Sequence, residues 1–317
     1  MAKRKIRRQN KSKRKPSNKR SQKTNLIRAV AGLGVLIFLI IIAGVLARHL
    51  LLRKHPIEPI VKPRTTKIPR FEVYPEKEVP PHKPIRKPVP AIPKELPKIA
   101  IIIDDIGYDK EIVEKFLGLD TVFTFSILPF SPFQKSIAKS VHSKGLDVML
   151  HLPMEPNEYP MVNPGPGALL TSMSPDQLIK QLNRDLNSFP FIQGVNNHMG
   201  SKMTTVSTQL YQIFSVLKKR KLFFIDSRTT TETLCKPSAH LLQVPFAQKD
   251  VFLDHFQQPD FIRKQIRRLV HIANSHGEAI GIAHPHEVTY DVLRDILPEL
   301  KKKAILVRAS DVVHIGT

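Results

Sequence analysis

The chain contains a single cysteine, Cys235, among its 317 residues. One cysteine excludes a disulfide within the chain and a cysteine-rich metal site. No histidine motif adjoins Cys235 in the sequence, so we interpret it as a small residue near a helix start and not as a nucleophile. The cysteine content is compatible with oxidising and reducing compartments alike.

Acidic residues are absent from the first 28 positions, which hold 13 Lys/Arg. The formal net charge is +23, but residues 1–97 carry 25 Lys/Arg against 5 Asp/Glu, whereas residues 98–317 carry 25 against 22. A nucleic-acid-binding domain needs a basic folded face, and here the basic charge belongs to the N-terminal segment. We therefore expect no nucleic-acid partner.

Residues 29–47 contain no charged side chain and are apolar on every side of a helix. Nineteen residues span about 28 Å as a helix, close to the hydrocarbon thickness of a bilayer. A cleaved signal peptide ending at 45–47 is the alternative, but the long apolar core followed by Arg48 favours an uncleaved anchor. The positive-inside rule then predicts a cytoplasmic tail at 1–28 and a single-pass protein of the bacterial inner membrane, with the remainder of the chain extracytoplasmic or periplasmic.

Residues 48–97 are rich in proline, with 12 prolines between 55 and 97. Proline at this density excludes helices and central strands and favours an extended, semi-rigid polyproline II linker. The linker would hold the following domain away from the membrane surface.

Residues 98–317 alternate short apolar runs with helical stretches, which indicates βα units and a parallel sheet. The predicted strands lie at 98–103, 122–128, 147–152, 194–197, 222–225, within 244–253, at 279–283 and at 304–307. The pattern predicts an α/β fold, a distorted seven- or eight-stranded (β/α) barrel preceded by a single transmembrane helix.

Acidic and histidine side chains stand where several of these strands end. Asp104 and Asp105 follow three isoleucines, and His151 and His198 end two further strands. Because the carboxyl ends of parallel strands open on one face, these side chains should meet in one cleft. One Asp and two His would fill three positions of a tetrahedral divalent-metal site, while the second Asp would accept a proton from water. Each Asp could instead cap a helix, and a lone His is usually a packing residue.

Other polar residues at strand ends are further candidates. Glu155 is a spare metal-ligand candidate, and Asp226 and Asp254 could orient a histidine, bind substrate or cap a helix. His284 and His286 flank Pro285, and a histidine there is suited to protonate a leaving group.

Five segments together resemble the divergent polysaccharide deacetylase family over residues 98–315. They are Asp104-Asp105 after its strand, His-Leu-Pro-Met-Glu-Pro at 151–156, Asn-Asn-His-Met-Gly-Ser at 196–201, Phe-Ile-Asp-Ser-Arg-Thr at 224–229 and Ala-His-Pro-His at 283–286. The resemblance implies a distorted (β/α) barrel related to the metal-dependent carbohydrate esterases that remove acetyl groups from N-acetylated sugars. It also implies that Asp104 is the base and Asp105 a metal ligand.

The sequence departs from those esterases at several points. They place both histidine ligands in one His-x-x-x-His segment, whereas this chain has Glu155 four residues after His151, so the second ligand would be His198. The Arg-Pro and Asp-Trp motifs of the esterases are missing. Tryptophan is absent altogether, although sugar sites commonly stack rings on aromatic side chains.

Three functions follow from these observations. The first is a membrane-anchored hydrolase that uses a divalent metal, with Zn²⁺ the best fit, to deacetylate a cell-envelope polysaccharide, with His284 protonating the amine. The second is a non-catalytic envelope protein that binds glycan or a partner through the same barrel. The third is a hydrolase of another substrate such as a phosphoester, which the lack of an evident Arg/Lys cluster in the cleft disfavours.

Overall fold

The structure is a computed structural model and describes residues 96–316. The predicted tail (1–28), the predicted transmembrane helix (29–47) and almost all of the predicted linker (48–97) lie outside the described residues. Within 96–316, no helix is both long enough and apolar enough to cross a membrane.

Nine strands alternate with seven α-helices along the described chain. The strands are β1 Lys98–Ile106, β2 Thr124–Ile127, β3 Val148–Met154, β4 Ile192–Met199, β5 Phe223–Asp226, β6 Phe246–Gln248, β7 Val251–Phe252, β8 Glu278–Ala283 and β9 Ile305–Val307. The helices are α1 Lys110–Leu117, α2 Gln134–Ser143, α3 Pro175–Leu186, α4 Ser207–Arg220, α5 Cys235–Leu242, α6 Pro259–His276 and α7 Glu287–Lys303. Two short 3₁₀ helices are formed by Met203–Thr205 and Ala309–Val312.

All nine strands belong to one sheet in the order β6-β5-β4-β3-β2-β1-β8-β7, and all ladders between them are parallel. β9 pairs with the first residues of β1, where Lys98 lies opposite Ile305. The prediction of an α/β fold with parallel strands is confirmed, and each predicted strand is present.

Eight strands follow one another along the sheet, as predicted, and β9 is added beside β1. The region 244–253 forms two strands because its first part pairs with β5 and its second part pairs with β8. β6 and β7 are the two ends of the hydrogen-bonded order, so the sheet is a curled, incomplete barrel. Only Lys249 and Asp250 join them, and three Cα steps span at most about 11 Å, so the end of β6 lies close to the start of β7.

The sheet is buried on both faces, which explains the uninterrupted isoleucines of β1. Ile101 and Ile103 belong to the large cluster that packs against the helices. Ala100 and Ile102 point to the other face, into a smaller inner cluster with Met149 of β3 and Ile282 of β8. Because side chains alternate along a strand, the next inward positions after Ile102, Met149 and Ile282 are those of Asp104, His151 and His284. The inner cluster therefore lies directly beneath the polar residues of the strand ends.

Helix α3 begins with the capping pattern that the sequence contains. The Ser174 side chain accepts a hydrogen bond from the Gln177 amide, the Gln177 side chain accepts one from the Ser174 amide, and Pro175 occupies the first helical position. This reciprocal box satisfies two amides that a helix start leaves unpaired.

Asp185 of α3 leads to a prediction about stability. Burial raises the pKa of its carboxyl to about 7, and Oδ2 has no hydrogen-bond partner among the described residues. Because the folded-state pKa lies above the ordinary value of 3.8, folding retains a proton, and stability is lost as the pH rises through the folded-state pKa. We expect Asp185 to contribute a fall of roughly 2 kcal/mol in the free energy of unfolding, measured by urea denaturation, from about pH 5 to about pH 8. Asp185→Asn should flatten this slope, and an equal slope in both proteins would contradict the assignment.

Candidate active site

Asp104 and Asp105 point to the same side of the sheet although they are adjacent in β1. Strand alternation directs Asp104 inward, and Asp105 would point outward in an extended strand. Asp105 has φ 55°, however, and this left-handed conformation turns its carboxylate back toward Asp104. Such a conformation is uncommon outside glycine, and Asp is one of the residues that tolerate it best. The turn that exposes both acids to the cleft therefore lies at Asp105 itself.

Asp105, His151 and His198 bring one ligand atom each into a small triangle. Asp105 Oδ1 lies 3.1 Å from His151 Nε2 and 2.9 Å from His198 Nδ1, and the two nitrogens are 3.2 Å apart. Ligands at about 2.0–2.1 Å around a tetrahedral Zn²⁺ are about 3.3 Å from one another. The triangle has nearly the size of one face of such a tetrahedron.

The carboxylate of Asp105 fits a bound cation. Both of its oxygens are buried, and its Oδ1 is in contact with His151 Nε2 and His198 Nδ1. Burial acts to raise the pKa of Asp105, but the charges of His198 and His151 outweigh it and hold the pKa well below its ordinary value. A buried, ionised carboxylate needs a compensating positive charge, which either protonated imidazoles or a metal ion held by neutral imidazoles can supply. Asp105, His151 and His198 are thus the residues that would hold a divalent metal.

Asp104 is placed beside this triangle and outside it. Asn196 Nδ2 donates to both of its oxygens at 2.9 and 3.0 Å, and His151 Nε2 lies 3.7 Å from its Oδ2. Burial raises the pKa of Asp104 despite the opposing charges of His151 and His284. A carboxylate with a raised pKa is a stronger proton acceptor than an exposed one, which suits a general base.

His284 faces the triangle from β8 and is held by Asp254. Its Nδ1 lies 2.9 Å from Asp254 Oδ1, and its backbone amide and the Thr289 hydroxyl both donate to Asp254 Oδ2, at 2.6 and 2.9 Å. Asp254 accepts a hydrogen bond from His284 Nδ1. The other ring nitrogen, His284 Nε2, therefore points toward Asp105 Oδ2, which is 3.9 Å away.

The charge state of this pair follows from its surroundings. Burial lowers the pKa of His284, but Asp254 and the other carboxylates outweigh it and raise the pKa to about 9. Burial would raise the pKa of Asp254, yet the charge of His284 and the three hydrogen bonds hold it below its ordinary value. His284 therefore carries a proton at neutral pH that it can give away from Nε2.

The other predicted residues lie outside the triangle. Glu155 is bound by Lys202 Nζ at 2.6 Å and by the Thr171 amide, so its carboxylate ties two loops together. Asp226 accepts hydrogen bonds from the Arg228 amide and the Thr233 hydroxyl, both at 2.8 Å, as a loop-capping residue does.

His286 is the N-cap residue directly before helix α7, and its Nε2 lies 3.1 Å from Gln257 Nε2. Together with Asp254 and His284 it forms the second group of residues 96–316 that is compact enough to hold a metal. In that group, the Asp254 carboxylate is already occupied by three hydrogen-bond donors.

Three residues that contact the site received no role from the sequence. Asn196 lies two positions before His198 in β4, so strand alternation could have placed it on the same inner face. Ser126 of β2 also points inward, and its hydroxyl donates to Asn196 Oδ1. Thr289 lies in the first turn of α7, and no pattern in the sequence predicts its hydrogen bond to Asp254.

Comparison with known proteins places the chain among related sequences. The profile of the divergent polysaccharide deacetylase family matches residues 101–313. The chain is 33% identical over 218 residues to the uncharacterised protein YibQ of Escherichia coli (strain K12), a match that covers 68% of this chain and 67% of that protein. It is 30% identical over 210 residues to an uncharacterised protein of Haemophilus influenzae, covering 66% and 74% of the two chains.

A solved structure shares the fold. The crystal structure of an uncharacterised protein from Agrobacterium tumefaciens C58 superposes with a TM-score of 0.67 at 24% identity, covering 71% of this chain and 92% of that one. The family match extends from β1 to the last residues of the described fold and contains each strand-end residue discussed above. The chain belongs to the divergent polysaccharide deacetylase family.

Proposed function

We propose that this protein is a metal-dependent hydrolase that removes acetyl groups from an N-acetylated sugar of the cell envelope. The observation that carries the proposal is the triangle of Asp105, His151 and His198, with Asp104 on one side and the nitrogen of His284 facing it from another. Family membership supports a carbohydrate substrate. We further propose that residues 29–47 anchor the chain in the inner membrane and that the domain acts outside the cytoplasm.

Each group of the site has a separate role in the proposed amide hydrolysis. A divalent cation, with Zn²⁺ the best match to one carboxylate and two imidazoles, would supply Lewis acidity toward the acetyl carbonyl. Asp104 accepts a proton from the attacking water as the new C–O bond forms. His284 Nε2 gives its proton to the amine nitrogen as the C–N bond breaks, and acetate and a free amino sugar leave the site.

The test is acetate release from N-acetylated substrates by the purified full-length protein. We expect the protein with added Zn²⁺ to release acetate from chitooligosaccharides or peptidoglycan fragments. Asp104→Asn should lower turnover by about 10²–10⁴-fold while retaining the metal, because the base is lost and the ligands are not. Phosphate release from a phosphoester would support the phosphoesterase alternative.

A non-catalytic glycan-binding role makes the opposite prediction. In that case the wild-type protein binds glycan without acetate release, and Asp104→Asn leaves the binding affinity unchanged. Parallel measurements of acetate and of glycan affinity on the two proteins separate the two functions.

A further inference from the structure

Asn196 lies between the proposed base, Asp104, and a proposed metal ligand, His151. It is fully buried in the middle of β4 and shares the inner face of that strand with His198. Its Nδ2 donates to both oxygens of Asp104. Its Oδ1 is contacted by His151 Nδ1 at 2.9 Å and by the Ser126 hydroxyl. One amide thus contacts the proposed base and a proposed metal ligand at once.

The neighbours of Asn196 favour one orientation of its amide, in which Nδ2 also lies 3.3 Å from the Ser227 hydroxyl. Turning the group over would bring Oδ1 against the carboxylate of Asp104 and would present Nδ2 to the Ser126 hydroxyl and His151. In the observed orientation, each polar atom of the amide has a suitable partner. A buried polar network with all its members satisfied is rigid, and a partly satisfied one is costly.

This orientation also determines which nitrogen of His151 is available. A carbonyl oxygen only accepts hydrogen bonds, so His151 Nδ1 must carry the proton that it donates to Asn196 Oδ1. In the neutral ring the lone pair is then on Nε2, the atom that lies 3.1 Å from Asp105 Oδ1. Partners of this kind behind a ligand histidine commonly fix its tautomer and ring orientation.

We propose that Asn196 is a positioning residue that couples the metal ligand His151 to the base Asp104. Its carbonyl holds the His151 ring with Nε2 toward the metal, and its amide group holds the Asp104 carboxylate beside the same ring. The inference rests on the proposed function for the role of Asp104. Its effect on His151 is expressed in metal affinity and needs no substrate.

The first test is Zn²⁺ affinity, measured by competition with a chromophoric chelator on the full-length protein. Asn196→Leu should weaken binding by about 10–100-fold, the usual effect of losing a partner of a ligand histidine. The matched control is Asn197→Leu, because among residues 96–316 the neighbouring Asn197 side chain bonds only to the backbone, at Met199 O and the Ser227 amide. We expect that control to lower stability but to leave the Zn²⁺ affinity of the folded protein within about 3-fold, since it contacts no ligand histidine.

A second variant and a second measurement keep the test valid if Asn196→Leu does not fold. Asn196→Ser, which is smaller and polar, should weaken Zn²⁺ binding in the same direction. With Co²⁺ in place of Zn²⁺, both Asn196 variants should change the visible absorption of the bound metal, because the angle of one ligand changes. In turnover, they should lower kcat with little change in KM, since the groups that they disturb act on the transition state.

The outcomes separate this role from the proposed reaction. Equal Zn²⁺ affinity in wild type and both Asn196 variants, or an equal loss in Asn197→Leu, overturns the positioning role. Metal binding that depends on Asn196, without acetate release by the wild type, supports the role toward His151 and overturns the proposed reaction. A wild-type protein that binds no metal overturns both.

Discussion

Replacing any one of Asp105, His151 and His198 by alanine is expected to abolish stoichiometric Zn²⁺ binding. The three ligand atoms lie within 3.2 Å of one another, and among residues 96–316 no other side chain completes this group. When one of the three ligands is removed, two protein ligands remain, which is fewer than the three that catalytic zinc sites use. Each variant should therefore lose turnover together with the metal. Metal content per chain after gel filtration is the measurement.

Thermal unfolding gives an independent readout of the same loss. Zn²⁺ at 100 times its Kd should stabilise the wild-type protein by about 2.7 kcal/mol, because only the folded state brings the three ligands together. For a domain of this size, that corresponds to a rise in Tm of about 5–10 °C. The three variants should show no such rise.

The matched control is His271→Ala, which removes an exposed histidine of helix α6. It should keep one metal per chain and the full rise in Tm. Retention of one tightly bound Zn²⁺ by Asp105→Ala would contradict the proposed centre, because Asp105 is the only carboxylate of the triangle.

The second large effect is expected at the proton donor. His284→Gln should lower kcat by about 10²–10⁴-fold, because the departing amine then leaves without a positioned acid. Asp254→Asn should have a comparable effect, since an amide group can present a donor to His284 Nδ1 and favour the wrong tautomer. Steady-state kinetics on an N-acetylated oligosaccharide, with metal content measured on the same samples, is the experiment.

Thr289→Val should cause a smaller loss of kcat than the substitutions at His284 and Asp254. It removes one of the three donors to Asp254 and leaves the bond between Asp254 and His284 Nδ1 in place. We expect a loss in kcat of about 10-fold or less, because a hydrogen bond to a charged group contributes about 1.5–3 kcal/mol and only part of it is transmitted to His284. Unchanged kcat in both His284→Gln and Asp254→Asn, with metal retained, would rule out His284 as the acid.

The alternation of side chains along strands predicts the positions of most of the site residues, but not that of Asp105. Asp104, His151 and His284 each follow an apolar strand, and alternation together with parallel pairing places their side chains on one inner face. The same rule would send Asp105 to the opposite face. Its left-handed φ of 55° belongs to a turn in the chain, at a residue type that tolerates this conformation, and strand periodicity alone does not predict it.

Pairings between distant residues were not available from the sequence. Asp254 could have been a helix cap or a partner of a histidine, and the structure pairs it with His284, thirty residues later. That pairing depends on the register between β7 and β8, which places Phe252 opposite Ile282. Glu155 was interpreted from its four-residue spacing after His151, yet it pairs with Lys202, which a distant loop brings close.

The inner cluster has a consequence for the shape of a substrate. Ile102, Met149 and Ile282 are completely buried and fill the interior beneath the strand ends, so a glycan cannot pass through the sheet. In residues 96–316, this cluster therefore closes the proposed reacting groups off from below. A long polysaccharide would lie across the mouth of the fold and lower one acetamido group at a time toward Asp104. Chain length would then impose little restriction, and selectivity would depend on the few sugar units that border the acetyl group being removed.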